Sequence, residues 1–191
     1  MKKLLYLFIV LALPYRAAAQ AAPGPLLGTF RLGLDLPGNL SVAGANRDSD
    51  EETQAGPAAG FELVRGYGNV GLGLGLELLP RRGLQRAPGT AFGFLALPLI
   101  LEVSDYGSYG SGALTPYFRL QGGPDLFLPG RAFLGSSKKG GPNACAGIGV
   151  GVRKKRGFTA ELRFSFYRAS LDHNKIRLLY SAPGLTAGYS F

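Results

Sequence analysis

The chain is short of the residues that build chemistry or covalent staples. In 191 residues it has one cysteine, one histidine, one methionine and no tryptophan. A single thiol, Cys145, cannot close an intramolecular disulfide, so backbone ladders and side-chain burial must hold the fold. No cysteine stands near the amino-terminal region to take a lipid anchor. One histidine cannot assemble a metal site by itself. Charged residues make up only 17% of the chain, and the net charge of +9 is not gathered into a basic face, so no nucleic-acid partner is expected. The 30 glycines follow no Gly-X-Y period, which excludes a collagen-like rod. Beyond residue 13 no apolar run approaches the roughly 20 residues of a membrane-spanning helix.

The start of the chain has its own pattern. Lys2 and Lys3 precede an unbroken apolar run over 4–13, then Pro14, then Ala17-Ala18-Ala19 before Gln20. A basic start, a short apolar stretch and a small-residue site are the features of a secretory signal peptide. Cleavage is expected after Ala19. That divides the chain into a signal peptide, 1–19, and one exported domain, 20–191.

What the domain does have is period-two alternation. In the run Phe158-Thr-Ala-Glu-Leu-Arg-Phe-Ser-Phe-Tyr167, Phe158, Ala160, Leu162, Phe164 and Phe166 share one face. Thr159, Glu161, Arg163, Ser165 and Tyr167 share the other. That is a strand with an apolar face and a polar face. The same reading gives strands over 26–36, 58–65, 70–78, 91–103, 114–128, 144–153 and 158–168, with an eighth ending at Phe191. The fourth is apolar on both faces, so its orientation stays open, and Pro98 within it predicts a bulge or local irregularity. Gly122-Gly123-Pro124 is expected to kink the fifth.

The connections alternate in length. Those over 37–57, 80–90, 129–143 and 169–183 read as longer loops; those over 66–69, 104–112 and 153–157 read as shorter turns. Such sorting fits an up-and-down barrel with both chain ends at one side. The polarity is also suggestive. The faces that can be assigned carry Leu, Ile, Val, Phe and Ala on one side, and Gly, Ser, Thr, Tyr and charges on the other. Glycine fills an apolar cavity poorly but makes room for long polar side chains. The expected fold is therefore all-β: an eight-stranded antiparallel up-and-down transmembrane β-barrel, apolar outward and polar inward.

Several pieces of the carboxyl-terminal half carry a family resemblance. They are Leu97-Pro98-Leu99, Pro116-Tyr117 leading to Gly122-Gly123-Pro124, Gly147-Ile-Gly149-Val-Gly151, Leu162-Arg163-Phe164 and Ala187-Gly188-Tyr189-Ser190-Phe191. Together they resemble the bacterial outer-membrane β-barrel family that includes PorT-like and OmpX-like proteins. The resemblance implies eight strands, residence in the bacterial outer membrane and insertion by the barrel-assembly machinery. It also implies that Tyr189 and Phe191 form that machinery's recognition signal. The chain departs from the family's pattern at Glu102, where a lysine or aromatic residue is usual.

Seven charges fall on the inward face: Arg31, Asp35, Glu62, Glu77, Arg119, Glu161 and Arg163. An eight-stranded barrel is only wide enough for side chains, so these charges must pair. They form either a salt-bridged plug or, alternatively, the lining of a narrow ion path. Glu161 and Arg163 are same-face neighbours and the leading single pair, with partners across strands equally open. The two Gly-x-Gly-x-Gly runs, 71–75 and 147–151, do not complete a phosphate-binding loop. His173 beside Asp172 lacks a matching catalytic constellation. Asp48, Asp50, Glu51 and Glu52 read as a solvated loop, and the basic residues over 153–156 as a turn. Lys138 and Lys139 could meet lipopolysaccharide phosphates. Cys145 reads as a small barrel residue. The expectation is a non-enzymatic outer-membrane protein with no cofactor and no metal. It would serve membrane integrity, surface-loop binding or a secretion assembly, with a small porin as the alternative. Its expected partners are outer-membrane lipid, lipopolysaccharide, the barrel-assembly machinery and an envelope or secretion component.

Overall fold

The computed structural model describes residues 23–44, 48–87, 89–106, 114–130, 143–154, 156–171 and 176–191. The signal peptide at 1–19, Lys138, Lys139, Asp172 and His173 lie outside the described residues. Eleven strands follow one another: β1 (Pro23–Asp35), β2 (Asn39–Ala43), β3 (Ser49–Glu52), β4 (Gly56–Tyr67), β5 (Val70–Gly83), β6 (Ala91–Ala96), β7 (Leu99–Ser104), β8 (Leu114–Pro129), β9 (Ala144–Lys154), β10 (Gly157–Leu171) and β11 (Ile176–Ser190). They make eight staves, because three of the eleven are continuations. Strand β2 extends β1 along β11, β3 leads into β4, and β6 and β7 are two halves of one stave between β5 and β8.

All pairings are antiparallel, and the sheet closes on itself. The closing ladder runs from Thr29 opposite Ser190 to Asp35 opposite Gly184. It is lengthened by Phe191 N–H donating to the Gly28 carbonyl at 2.9 Å, and Gly28 N–H donating back at 3.2 Å. Closure removes the free edges that would otherwise template aggregation. The first described residues, the carboxyl-terminal residues, the tight turn at 68–69 and the junction of β9 with β10 at Arg156 lie at one end, here the terminal end. Gly68 turns with φ of 62°, and Arg156 also adopts a left-handed conformation, φ 47°, a region glycine enters without steric cost.

The far end differs from the expected long loops. The stretch 37–57 was expected to be aperiodic loop; most of it is the β2–β3 hairpin, ladder-paired from Asn39–Glu52 to Val42–Ser49. Likewise 169–171 and 176–183, expected as loop, are strand. Strands β10 and β11 stay paired as far as Leu171 and Ile176. Polar and proline-bearing sequence hid these strands, because neighbours supply the ladder bonds whatever the local composition. The predicted irregularity at Pro98 is present: β5 pairs Leu74 with Leu99 and resumes only at Glu77 with Ala96. The expected kink at 122–124 is absent from the ladder, since Gly122, Gly123 and Pro124 face Ala146, Cys145 and Ala144 in unbroken register.

Side chains sort by face as the alternation predicts. Leu32, Leu63, Leu74, Leu99, Leu120, Ile148, Leu162 and Leu185, one from each stave, stand exposed on the outer wall. The interior is layered. Nearest the terminal end Leu27, Val64, Ile100 and Tyr106 pack together. The middle is ionic. Towards the far end comes an apolar core that the glycine-and-charge reading of the lumen did not foresee, including Leu40, Leu79, Phe92, Phe94, Phe127, Tyr167, Leu178 and Tyr180. Read along the first stave, Leu27, Arg31, Asp35 and Leu40 pass through these layers in turn.

Candidate functional site

Among the described residues the ionic middle of the lumen holds five arginines and five carboxylates in ion pairs, in two groups, each with equal numbers of both. The group nearer the terminal end contains Arg31, Arg119 and Arg153 with Glu62, Glu102 and Glu161. Arg31 bonds Glu62 at 2.7 Å and Glu161 at 2.8 Å. Arg119 meets Glu62 at 2.6 Å and Glu102 at 3.1 Å. Arg153 meets Glu102 at 2.8 Å and Glu62 at 3.3 Å. The second group contains Arg82 and Arg163 with Asp35 and Glu77. Asp35 bridges both arginines, at 2.7 Å and 2.9 Å, and Arg163 also bonds Glu77. Equal numbers matter because an unmatched charge in this low-dielectric space would carry its full desolvation cost.

Tyr117 stands at the centre of the first group. The guanidinium carbons of Arg153, Arg119 and Arg31 lie 4.7, 5.5 and 5.6 Å from its ring centroid. Its hydroxyl accepts a hydrogen bond from Arg31 at 2.9 Å. The negative face of the ring softens the mutual repulsion of three cations. Arg82, fully buried, donates to the Tyr180 hydroxyl at 3.2 Å and to the Pro57 carbonyl at 2.7 Å. It thereby ties the ionic layer to the aromatic core.

Inward glycines make room for these groups. A Cβ on Gly149 would sit 3.0 Å from the Glu161 carboxyl carbon, one on Gly151 2.5 Å from the Tyr117 ring, and one on Gly184 2.6 Å from an Asp35 oxygen. Among the described residues a cavity of about 30 Å³ is bordered by Arg31, Glu62, Glu77, Arg119, Glu161 and Arg163, room for a water or two. Beyond it the buried aromatic residues pack on one another. Phe94 stacks on Tyr167 at 4.8 Å between centroids and meets Phe127 edge-on at 5.4 Å; Phe92 meets Tyr180 edge-on, also at 5.4 Å.

All seven charges assigned inward from the sequence lie in these groups. The leading pair does not form: Glu161 bonds Arg31, whereas Arg163 bonds Asp35 and Glu77. Residues two apart on a strand share a face but stand nearly 7 Å apart along it, so cross-strand partners reach them first. Tyr189 and Phe191 are both outward and exposed.

Three members were missed. Arg153 was assigned to a basic turn, yet it continues the inward parity of Cys145, Gly147, Gly149 and Gly151 and is fully buried; that parity was a usable signal. Glu102 lies on a stave apolar on both faces, where only its own charge could have indicated which face is inward. Arg82 was placed in a loop. It faces inward because the register of β5 shifts between Leu79 and Arg82: Pro80 and Arg81 are both exposed, and the side-chain parity reverses across them. A bulge of this kind has no local sequence mark beyond the proline.

No family model matches the chain, and no curated protein matches it. Solved structures of similar shape are Neisserial surface protein A, Ail of Yersinia pestis and AlkL in lipid bilayers. Neisserial surface protein A is 8% identical, with 86% of this chain and 97% of that one covered and a TM-score of 0.48. Ail is 14% identical, with 86% and 98% covered and a TM-score of 0.45. AlkL is 11% identical, with 88% and 90% covered and a TM-score of 0.43. At these values the likeness is one of general shape and carries no functional argument.

Proposed function

We propose that the chain is an integral β-barrel of the bacterial outer membrane with a sealed lumen and a structural or interactive role, not an enzyme. One observation carries this reading: every stave presents large apolar side chains outward, while ten charges at the barrel's mid-height turn inward and pair with one another. In water such a wall would be a continuous aggregation surface. In a bilayer it is the face that acyl chains require, and the closed ladder gives the backbone the internal partners that hydrocarbon cannot supply. Export through the signal peptide, insertion through recognition of Tyr189 and Phe191, and contact with lipopolysaccharide belong to the same reading. Service to an envelope or secretion assembly, as in PorT-like proteins, would use the far-end hairpins.

The lumen favours closure over conduction, because the charges of its two ionic groups are committed to ion pairs and an aromatic core lies in series with them. Fractionation with gel migration before and after boiling tests the membrane barrel. A boiling-dependent shift in the outer-membrane fraction is expected, and recovery as a soluble periplasmic protein would refute it. Planar-bilayer recording tests the closed lumen. A silent bilayer is expected; steady conductance steps that disappear with Glu161→Gln or Arg163→Gln would establish the small porin in its place.

A further inference from the structure

On the outer wall near the far end, two arginines stand together, neither bonded to an acid among the described residues. Arg168 on β10 lies opposite Leu179 of β11, and Arg177 of β11 is two residues further on. Both are exposed. As diagonal neighbours across one ladder their backbones are about 7–8 Å apart, within mutual reach of long side chains. Small residues flank them: Ala144 of β9 opposite Arg168, and Ala43 of β2 opposite Arg177. Among the described residues neither forms an ion pair, in contrast to the five arginines of the lumen. Two like charges placed side by side repel unless something negative lies between them.

Their height on the wall says what that could be. Phe166 and Leu179 are the exposed apolar residues two positions nearer the membrane on the same strands. The guanidinium pair therefore sits one side-chain repeat beyond the apolar surface, at the level where hydrocarbon gives way to headgroups. Guanidinium forks match phosphate oxygens in geometry and charge. Resting on the membrane reading above, we infer that Arg168 and Arg177 clamp the phosphate of one outer-leaflet lipid headgroup. The clamp fastens the β10–β11 side of the barrel to its lipid neighbour.

The test uses the full barrel, refolded in detergent micelles and observed by native mass spectrometry with phosphatidic acid or phosphatidylcholine added. Wild type should retain phosphatidic acid in preference to phosphatidylcholine. The double variant Arg168→Gln/Arg177→Gln should lose about thirtyfold of that preference, since each arginine at an anionic lipid surface contributes about fivefold. Arg65→Gln, an exposed arginine on β4 away from this pair, should leave it unchanged. Equal retention by the double variant would overturn the clamp. Displacement of the lipid by inorganic phosphate at comparable concentration would overturn the lipid assignment in favour of a free anion. A boiling-dependent gel shift run on each variant separates loss of the clamp from loss of the barrel.

Discussion

The ring of Phe191 lies over Gly28, so close that a Cβ added to Gly28 would stand 2.5 Å from the ring edge. The backbones of the two residues exchange both hydrogen bonds at the closing seam, and the ring also stacks on Phe61 with centroids 6.4 Å apart. The glycine thus seats the last residue of the chain on its first strand. Gly28→Val is expected to displace the ring at a cost of about 1–3 kcal/mol, the usual range for overpacking. Urea unfolding followed by the boiling-dependent gel shift would measure it. Against a Phe191→Ala background the same substitution should cost much less; an unchanged cost would mean that the contact contributes nothing to the seam.

Glu102 is fully buried and bonded to both Arg119 and Arg153. Glu102→Gln leaves two guanidiniums short of a counter-charge and should destabilise the barrel by about 3–5 kcal/mol. The paired replacement Glu102→Leu with Arg153→Met keeps the group neutral. It is expected to be less harmful than Glu102→Gln alone, as read by the urea midpoint.

Asp125 faces the lumen, and neither of its carboxylate oxygens has a hydrogen-bond partner among the described residues. An unpaired carboxylate shielded from water costs more than a neutral amide of the same shape. Asp125→Asn should therefore raise the unfolding midpoint, by about 1–3 kcal/mol in stability. A lower midpoint would reveal a partner for the carboxylate.

Cys145 is the chain's single thiol, and it is buried in the aromatic core. Maleimide labelling should be slow in the folded barrel and become fast only where the boiling-dependent band is lost. The thiol then reports on the core directly. Rapid labelling of the folded band would show that the far end of the lumen is open.

Much of this protein follows from alternation alone. A period of two is local: it assigns Leu72, Leu74, Ile148 and Leu162 to one face, and Glu62, Arg119 and Glu161 to the other, without knowledge of any neighbour. It also placed seven lumenal charges, because a stave carrying both leucines and a glutamate can satisfy both only by opposing faces. Partnership, register and depth are non-local. Glu161 and Arg163 adjoin in the chain yet belong to different ionic groups, since what each meets depends on the stagger of strands far apart in sequence. Arg82 entered the lumen through a reversal of parity at Pro80 and Arg81, and Asn39–Ala43 and Ser49–Glu52 became paired strands because β11 offered the first of them a ladder. The faces of the wall were written in the residues; the pairing of its inward charges was decided only when eight staves closed and brought opposite charges within bonding distance.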